Sequence, residues 1–149
     1  MKLVAAIGRG GTDIDEVNAL DHAFGYAAGP DMTRRDLQVS AKKAGRPWDM
    51  SKGFEHSAPI GDILPAATIG DPASGLIELK VNGKLRQSSD LSKMTWRVPE
   101  TIACLPRQLR LGAGDLIMTG TPAGVAAVVR GDLLEGMIAG VGSVRTKIV

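Results

Sequence analysis

The stretch Gly25-Tyr26-Ala27-Ala28-Gly29-Pro30-Asp31-Met32-Thr33-Arg34-Arg35-Asp36-Leu37-Gln38 decides how the rest of the chain is read. Its first part, taken with Phe24, is a small-residue apolar run that predicts a strand over Phe24 to Ala28, broken by Gly29-Pro30. Its second part gathers two carboxylates, two guanidiniums and an amide. Thr33 and Asp36 stand at the spacing of a helix cap, which predicts a helix over Arg34 to Ala44, ended by Gly45. That helix carries Arg35 and Gln38 in its first turn, close to the Asp31 carboxylate. So dense a set of polar groups at the end of a strand marks a candidate site.

Upstream, Leu3 to Ile7 reads as a buried strand, and Gly8-Arg9-Gly10-Gly11 breaks it. The glycines fit neither the dinucleotide fingerprint nor a phosphate loop, because the spacing differs and no Lys-Ser or Lys-Thr pair follows. Asp13 and Glu16 predict a capping box for a helix whose apolar face is Ile14, Val17, Leu20 and Phe24. Downstream, Leu76 to Val81, the Asn82-Gly83 pair and Lys84 to Gln87 spell a hairpin with a type I′ turn, one face apolar and the other wet. Pro99 suits the first turn of a helix over Glu100 to Leu105, while Pro106 would cost that helix roughly 3 kcal/mol and so should kink or end it. Three more strands are expected, over Asp115 to Thr119, Leu133 to Ala139 and Ser143 to Val149. Strands dominate the second half, which predicts a β-rich α/β fold with a mixed sheet and no βαβ repeat.

A chain of 149 residues with 44% hydrophobic composition is enough for one globular domain, expected to span 1–149. The net charge of +2 is spread rather than clustered, which argues against nucleic acid as a partner. No window reaches the roughly 18 apolar residues of a spanning helix, so a membrane is not expected either, and a cytoplasmic location is the default. The single cysteine, Cys104, lies in an apolar helical pattern and reads as a buried structural thiol rather than a nucleophile. His22 and His56 read as structural or surface histidines. A dyad of His56 with Glu55 is not expected, because neighbours in a strand point to opposite faces.

Of the residues able to carry chemistry, Asp31 is the first candidate for a hard divalent ion, which wants oxygen ligands. On composition alone it reads more readily as a turn or cap residue. Lys52 alone would read as a solvated surface lysine, and Thr119-Gly120-Thr121-Pro122 as a turn. Taken together, the Asp31 to Gln38 segment, the Gly45-Arg46-Pro47-Trp48-Asp49-Met50-Ser51-Lys52-Gly53-Phe54 segment and Gly114-Asp115-Leu116-Ile117-Met118-Thr119-Gly120-Thr121-Pro122-Ala123-Gly124-Val125 resemble the fumarylacetoacetate hydrolase family. Within it, the likeness is nearest to bacterial fumarylpyruvate and acylpyruvate hydrolases of gentisate breakdown. Oxaloacetate tautomerases and isomerase-decarboxylases of the same family share much of the pattern.

The resemblance implies a β-roll like that family's C-terminal domain, usually dimeric, that acts on 2-oxo or 1,3-diketo acids with Mg²⁺ or Mn²⁺. It implies Asp31 as a metal ligand, Lys52 as the catalytic lysine that stabilises an enolate, and Arg35, Gln38 and Thr121 as substrate-binding residues. Arg35 would take a carboxylate or lock Asp31 in place, and Arg34 is expected to be exposed. Departures accompany these matches. The family's Glu-x-Glu metal strand would put its second glutamate where Lys2 stands and its first before Met1; a cation there supplies no ligand and repels Mg²⁺. The family's water-activating His and Glu lie on a lid further upstream, and neither His22 nor His56 matches them. Ala126 replaces a glycine, a costly change if the backbone needs positive φ. The expectation is therefore a domain truncated at its N-terminus, associating with a second copy to cover open sheet edges. Three readings stay open: a hydrolase completed by a longer reading frame or a second chain, a tautomerase or decarboxylase, and a noncatalytic remnant.

Overall fold

The computed structural model describes residues 1–149. Eight strands run in the order β1 (Lys2–Ile7), β2 (Ala23–Gly29), β3 (Leu64–Pro65), β4 (Leu76–Val81), β5 (Lys84–Asp90), β6 (Leu116–Met118), β7 (Leu133–Ile138) and β8 (Gly142–Lys147). They form two four-stranded sheets, β3-β2-β1-β6 and β5-β4-β7-β8. The β-rich α/β class read from the sequence holds, but every pairing is antiparallel where a mixed sheet was expected. Short hairpins dictate this for β4–β5 and β7–β8, because connections of two or three residues join only antiparallel neighbours. Asn82 and Gly83 close the β4–β5 hairpin with φ of 52° and 74°, the left-handed pair that a type I′ turn requires.

The core lies between the sheets. Leu3, Ala5, Ile7, Tyr26 and Ala28 of the first belong to one buried cluster with Ile77, Ile138 and Val144 of the second. Each fully buried Leu or Ile contributes about 1.5–3 kcal/mol. β1 is one of the two inner strands of its sheet, and Val4 and Ala6 on its other face are buried too, which is why its sequence is continuously apolar rather than alternating. Tyr26 is wholly buried and its hydroxyl donates to Asp71.

The helices are short: α1 (Arg35–Lys43), α2 (Asp49–Lys52), α3 (Ala66–Ile69) and α4 (Val98–Cys104). α1 falls where the spacing placed it, but no side chain caps it, because the Thr33 hydroxyl points back toward Asp31. The helix expected from Asp13 and Glu16 is instead a 3₁₀ segment, Glu16–His22. Asp13 takes φ 48° and makes no cap, Val17 is 88% exposed, and Ala19 and His22, three apart, are the buried residues. A three-residue repeat suits a 3₁₀ helix rather than an α-helix. α4 has Pro99 in its first turn and the Glu100 carboxylate accepting from the Arg97 N–H at 2.6 Å. At Pro106 it tightens into a 3₁₀ turn, Leu105–Arg107, the short helix that the proline predicted. Cys104 is exposed, correcting the buried thiol expected there: Ile102 and Ala103 face inward and Cys104 lies on the outer side. No helix is long and apolar enough to cross a membrane.

Candidate functional site

The register of the first sheet builds the site. Lys2 at the start of β1 pairs with Gly29 at the end of β2, and Gly29-Pro30 turns the chain so that Asp31 follows at once. On the other side of β1, Val4 pairs with Met118 of β6, which brings the Thr119–Pro122 loop alongside Lys2. The Lys2 ammonium donates to the Thr119 carbonyl at 2.7 Å and lies 3.5 Å from Asp31 Oδ2. Lys52, the last residue of α2, donates to the same Oδ2 at 2.7 Å and to Thr33 Oγ1 at 2.9 Å. α2 is itself fixed by buried Ser51, whose hydroxyl donates to the Trp48 carbonyl and whose carbonyl accepts from Arg34 N–H at 3.0 Å. One carboxylate oxygen is thus shared by two ammonium groups. The side chains of Lys2, Asp31 and Lys52 are 15%, 20% and 36% exposed, so such a pair stabilises the fold by about 1 kcal/mol or less.

All five site residues named from the sequence, Asp31, Arg35, Gln38, Lys52 and Thr121, line one cavity of about 470 Å³. Arg35 does not lock Asp31 as expected. Its Nη1 donates to Gln38 Oε1 at 3.0 Å, one turn along α1, while the lysines take the carboxylate. That leaves the guanidinium most of its five donors for a ligand. Arg34 is exposed and stacks over the Phe54 ring, 4.5 Å from its centroid. Thr121 donates from its hydroxyl to the Met1 carbonyl at 2.9 Å, which ties the Thr119–Pro122 loop to the start of β1. Ala126, further along the cavity wall, has no positive φ, so the alanine carries no strain. Gly124 does need to be glycine: its φ is 93° and a Cβ there would collide with the Arg86 carbonyl oxygen.

Gln87 is a site residue that the sequence reading missed. It is 3% exposed, accepts from the Met1 nitrogen at 2.6 Å and donates to the Pro122 carbonyl at 2.8 Å. Its signal was positional: it pairs with Leu79 across the hairpin, at an inward position where an apolar residue is the norm. A buried amide in such a place needs polar partners, and these are the backbone of the cavity wall. The histidines stay outside the cavity. His22 is buried with Nδ1 against the Arg9 carbonyl at 2.7 Å. His56 does approach Glu55, at 3.7 Å, because the pair sits in a turn and not a strand, but both side chains are about 90% exposed.

The donor set does not fit a divalent ion. No group of three or more His, Cys, Asp or Glu residues is gathered anywhere in the chain, and the one central carboxylate already has two cationic partners. Among charged side chains at the cavity wall, Lys2, Arg35, Lys52 and Arg86 outnumber Asp31 and Asp36. The wall therefore presents an excess of positive charge, with fixed N–H and O–H donors, to a small anion. Such an arrangement is chemically suited to a carboxylate and to negative charge on an adjacent oxygen.

The family model described as "Fumarylacetoacetate (FAA) hydrolase C-terminal" matches residues 1–149. A fumarylpyruvate hydrolase of a Ralstonia species is 46% identical over 144 residues, covering 97% of this chain and 74% of that protein. The mitochondrial oxaloacetate tautomerase of Rattus norvegicus is 42% identical over 148 residues, covering 99% of this chain and 67% of that protein. Among solved structures, fumarylpyruvate hydrolase from Pseudomonas aeruginosa in complex with Mn²⁺ and pyruvate superposes with a TM-score of 0.96 at 49% identity. That superposition covers 99% of this chain and 64% of the Pseudomonas chain, so the sequence spans about two thirds of such relatives.

Proposed function

The chain belongs to the fumarylacetoacetate hydrolase family, and from that membership we propose that its cavity binds the 2-oxo acid end of an acylpyruvate resembling fumarylpyruvate, within a protein that hydrolyses the ligand's carbon–carbon bond. The observation that carries this reading is the convergence of Asp31, Arg35, Gln38, Lys52 and Thr121, from three separate segments, on one cavity. Arg35, oriented by Gln38, offers parallel N–H donors to the ligand carboxylate. Lys52, held by Asp31 and Thr33, faces the adjacent oxo group. When water adds to the distal carbonyl and the carbon–carbon bond breaks, the electron pair remains on the pyruvate fragment as an enolate, and a fixed ammonium is the group that stabilises it. Thr121 closes the cavity from the side of β6.

A second reading is tautomerisation of oxaloacetate or a related 2-oxo acid. Its support is the 42% identity to a mitochondrial oxaloacetate tautomerase, and the chemistry asks for a polarised carbonyl and a moved proton, which fixed ammonium groups at the cavity suit. Self-association into a homodimer and a cytoplasmic setting in aromatic catabolism, the gentisate route, belong to the same proposal.

The experiment is ligand-observed NMR of pyruvate with the 149-residue chain and with Lys52→Met, followed by incubation with an acylpyruvate and with enol oxaloacetate. Pyruvate binding that weakens at least tenfold in Lys52→Met is the expected result. Release of pyruvate from the acylpyruvate would favour the hydrolase, and ketonisation without cleavage the tautomerase. Absence of pyruvate binding would sink both.

A further inference from the structure

We propose that this chain holds its 2-oxo acid without a divalent metal, with the Lys2 and Lys52 ammonium groups together as the electropositive centre; the inference rests on the ligand class proposed above. The two cations flank a single oxygen, Asp31 Oδ2, at 3.5 and 2.7 Å. An ammonium carries three N–H donors. Lys2 donates to the Thr119 carbonyl and is ion-paired with Asp31 without a hydrogen bond to it, and Lys52 donates to Asp31 and Thr33 Oγ1, which leaves each at least one N–H for a ligand.

Lys2 is a built part of the wall rather than a surface lysine. Its backbone is paired with Gly29 in the sheet, its head is pinned by a carbonyl from the end of β6, and its side chain is 15% exposed. A dication entering here would meet two ammonium groups already ion-paired with the only carboxylate at the centre, with Arg35 and Arg86 on the same wall. A monoanionic 2-oxo acid meets the opposite field. Its carboxylate and adjacent carbonyl oxygen present two acceptors to two N–H groups that surrounding contacts already hold in place, so little ordering remains to be done on binding.

The test is saturation-transfer NMR of pyruvate with the 149-residue chain in EDTA and in excess Mg²⁺, repeated with Lys2→Met, Lys2→Arg and Lys2→Glu. Thermal melts report whether each variant is folded. The inference expects equal pyruvate affinity with and without Mg²⁺, a loss of at least tenfold in Lys2→Met, and recovery in Lys2→Arg. It further expects that Lys2→Glu, with a second carboxylate beside Asp31, binds pyruvate only when Mg²⁺ is present. Binding of the unaltered chain that requires Mg²⁺ would overturn the inference and leave the ligand class standing. Equal affinity in folded Lys2→Met would overturn it as well. Absence of binding in both buffers would overturn it together with the ligand class.

Discussion

Asp31 shows how position sets the task of a residue. In the sequence it ends an apolar strand and offers a carboxylate; in the fold its Oδ2 is taken by Lys52 from α2 and approached by Lys2 from β1. The partnership with Lys52 was half legible, since the resemblance put both in one site. Lys2 was legible as a cation where a ligand was expected, but its contact with Thr119 depends on the β1–β6 register, which sequence alone does not give. Asp31→Asn removes the negative charge between two positive ones. It should cost about 1 kcal/mol or less in urea unfolding, given the exposure of the pair, and leave pyruvate affinity equal or higher. A tenfold loss of pyruvate binding in folded Asp31→Asn would contradict this account. Two exposed carboxylates away from the site add to the acid sensitivity of the fold. Backbone N–H from Val129, then the Asn82 amide, lower the Asp132 pKa, and Ser92 and Gly75 do the same for Asp90. A depressed folded value contributes stability above the unfolded value and loses it as pH falls through the folded one. The stability difference between the native chain and Asp132→Asn should therefore stay constant from neutral pH down to the ordinary 3.8 and close only below it, as urea midpoints across pH would report.

Among the elements, the main strands and α1 match the sequence reading, while the 3₁₀ segment and the buried face of α4 do not. The β4–β5 hairpin follows from alternation and one dipeptide, so its turn was legible to the residue. It is also tied down from outside: Asn82 Oδ1 accepts from the Leu133 N–H at 2.9 Å and its amide donates to Asp132 at 2.8 Å. The 3₁₀ segment at Glu16–His22 was misread because Asp13 and Glu16 have the spacing of a cap, yet Asp13 is bent to positive φ before the helix begins. Pro106 was read correctly as an interruption because its effect is covalent. Cys104 was placed on the wrong side of its helix because an apolar window shows that one face is buried but not which one. The hairpin gives the sharpest check at this scale. Gly83→Val puts a β-branched side chain at φ 74°, which should cost roughly 1–2 kcal/mol without altering the cavity. Urea unfolding would measure the cost, and unchanged pyruvate binding would show that the effect stays in the turn.

Across the whole molecule the two sheets share one core, but the segment that supplies Arg35, Gln38 and Lys52 stands apart from it. α1 buries none of its residues, and Leu37, Val39, Trp48 and Met50 around α1 and α2 are all exposed. A nine-residue helix is marginal in water without packing. Its anchors here are the Lys52 contacts, the Ser51 bonds and the stacking of Arg34 on Phe54. A cluster of exposed apolar side chains next to a cavity suits a partner surface, and the proposed partner is a second copy of the chain. Sedimentation equilibrium should then show a concentration-dependent dimer. Met50→Asp, at a side chain 73% exposed in one chain, should shift the equilibrium toward monomer while changing the stability of the single chain by no more than about 0.5 kcal/mol. If dimerisation also orders α1 and α2, pyruvate affinity should rise with protein concentration in the native chain and lose that dependence in Met50→Asp. A monomer at every concentration would refute the dimer, and a dimer that Met50→Asp leaves intact would move the interface away from this face.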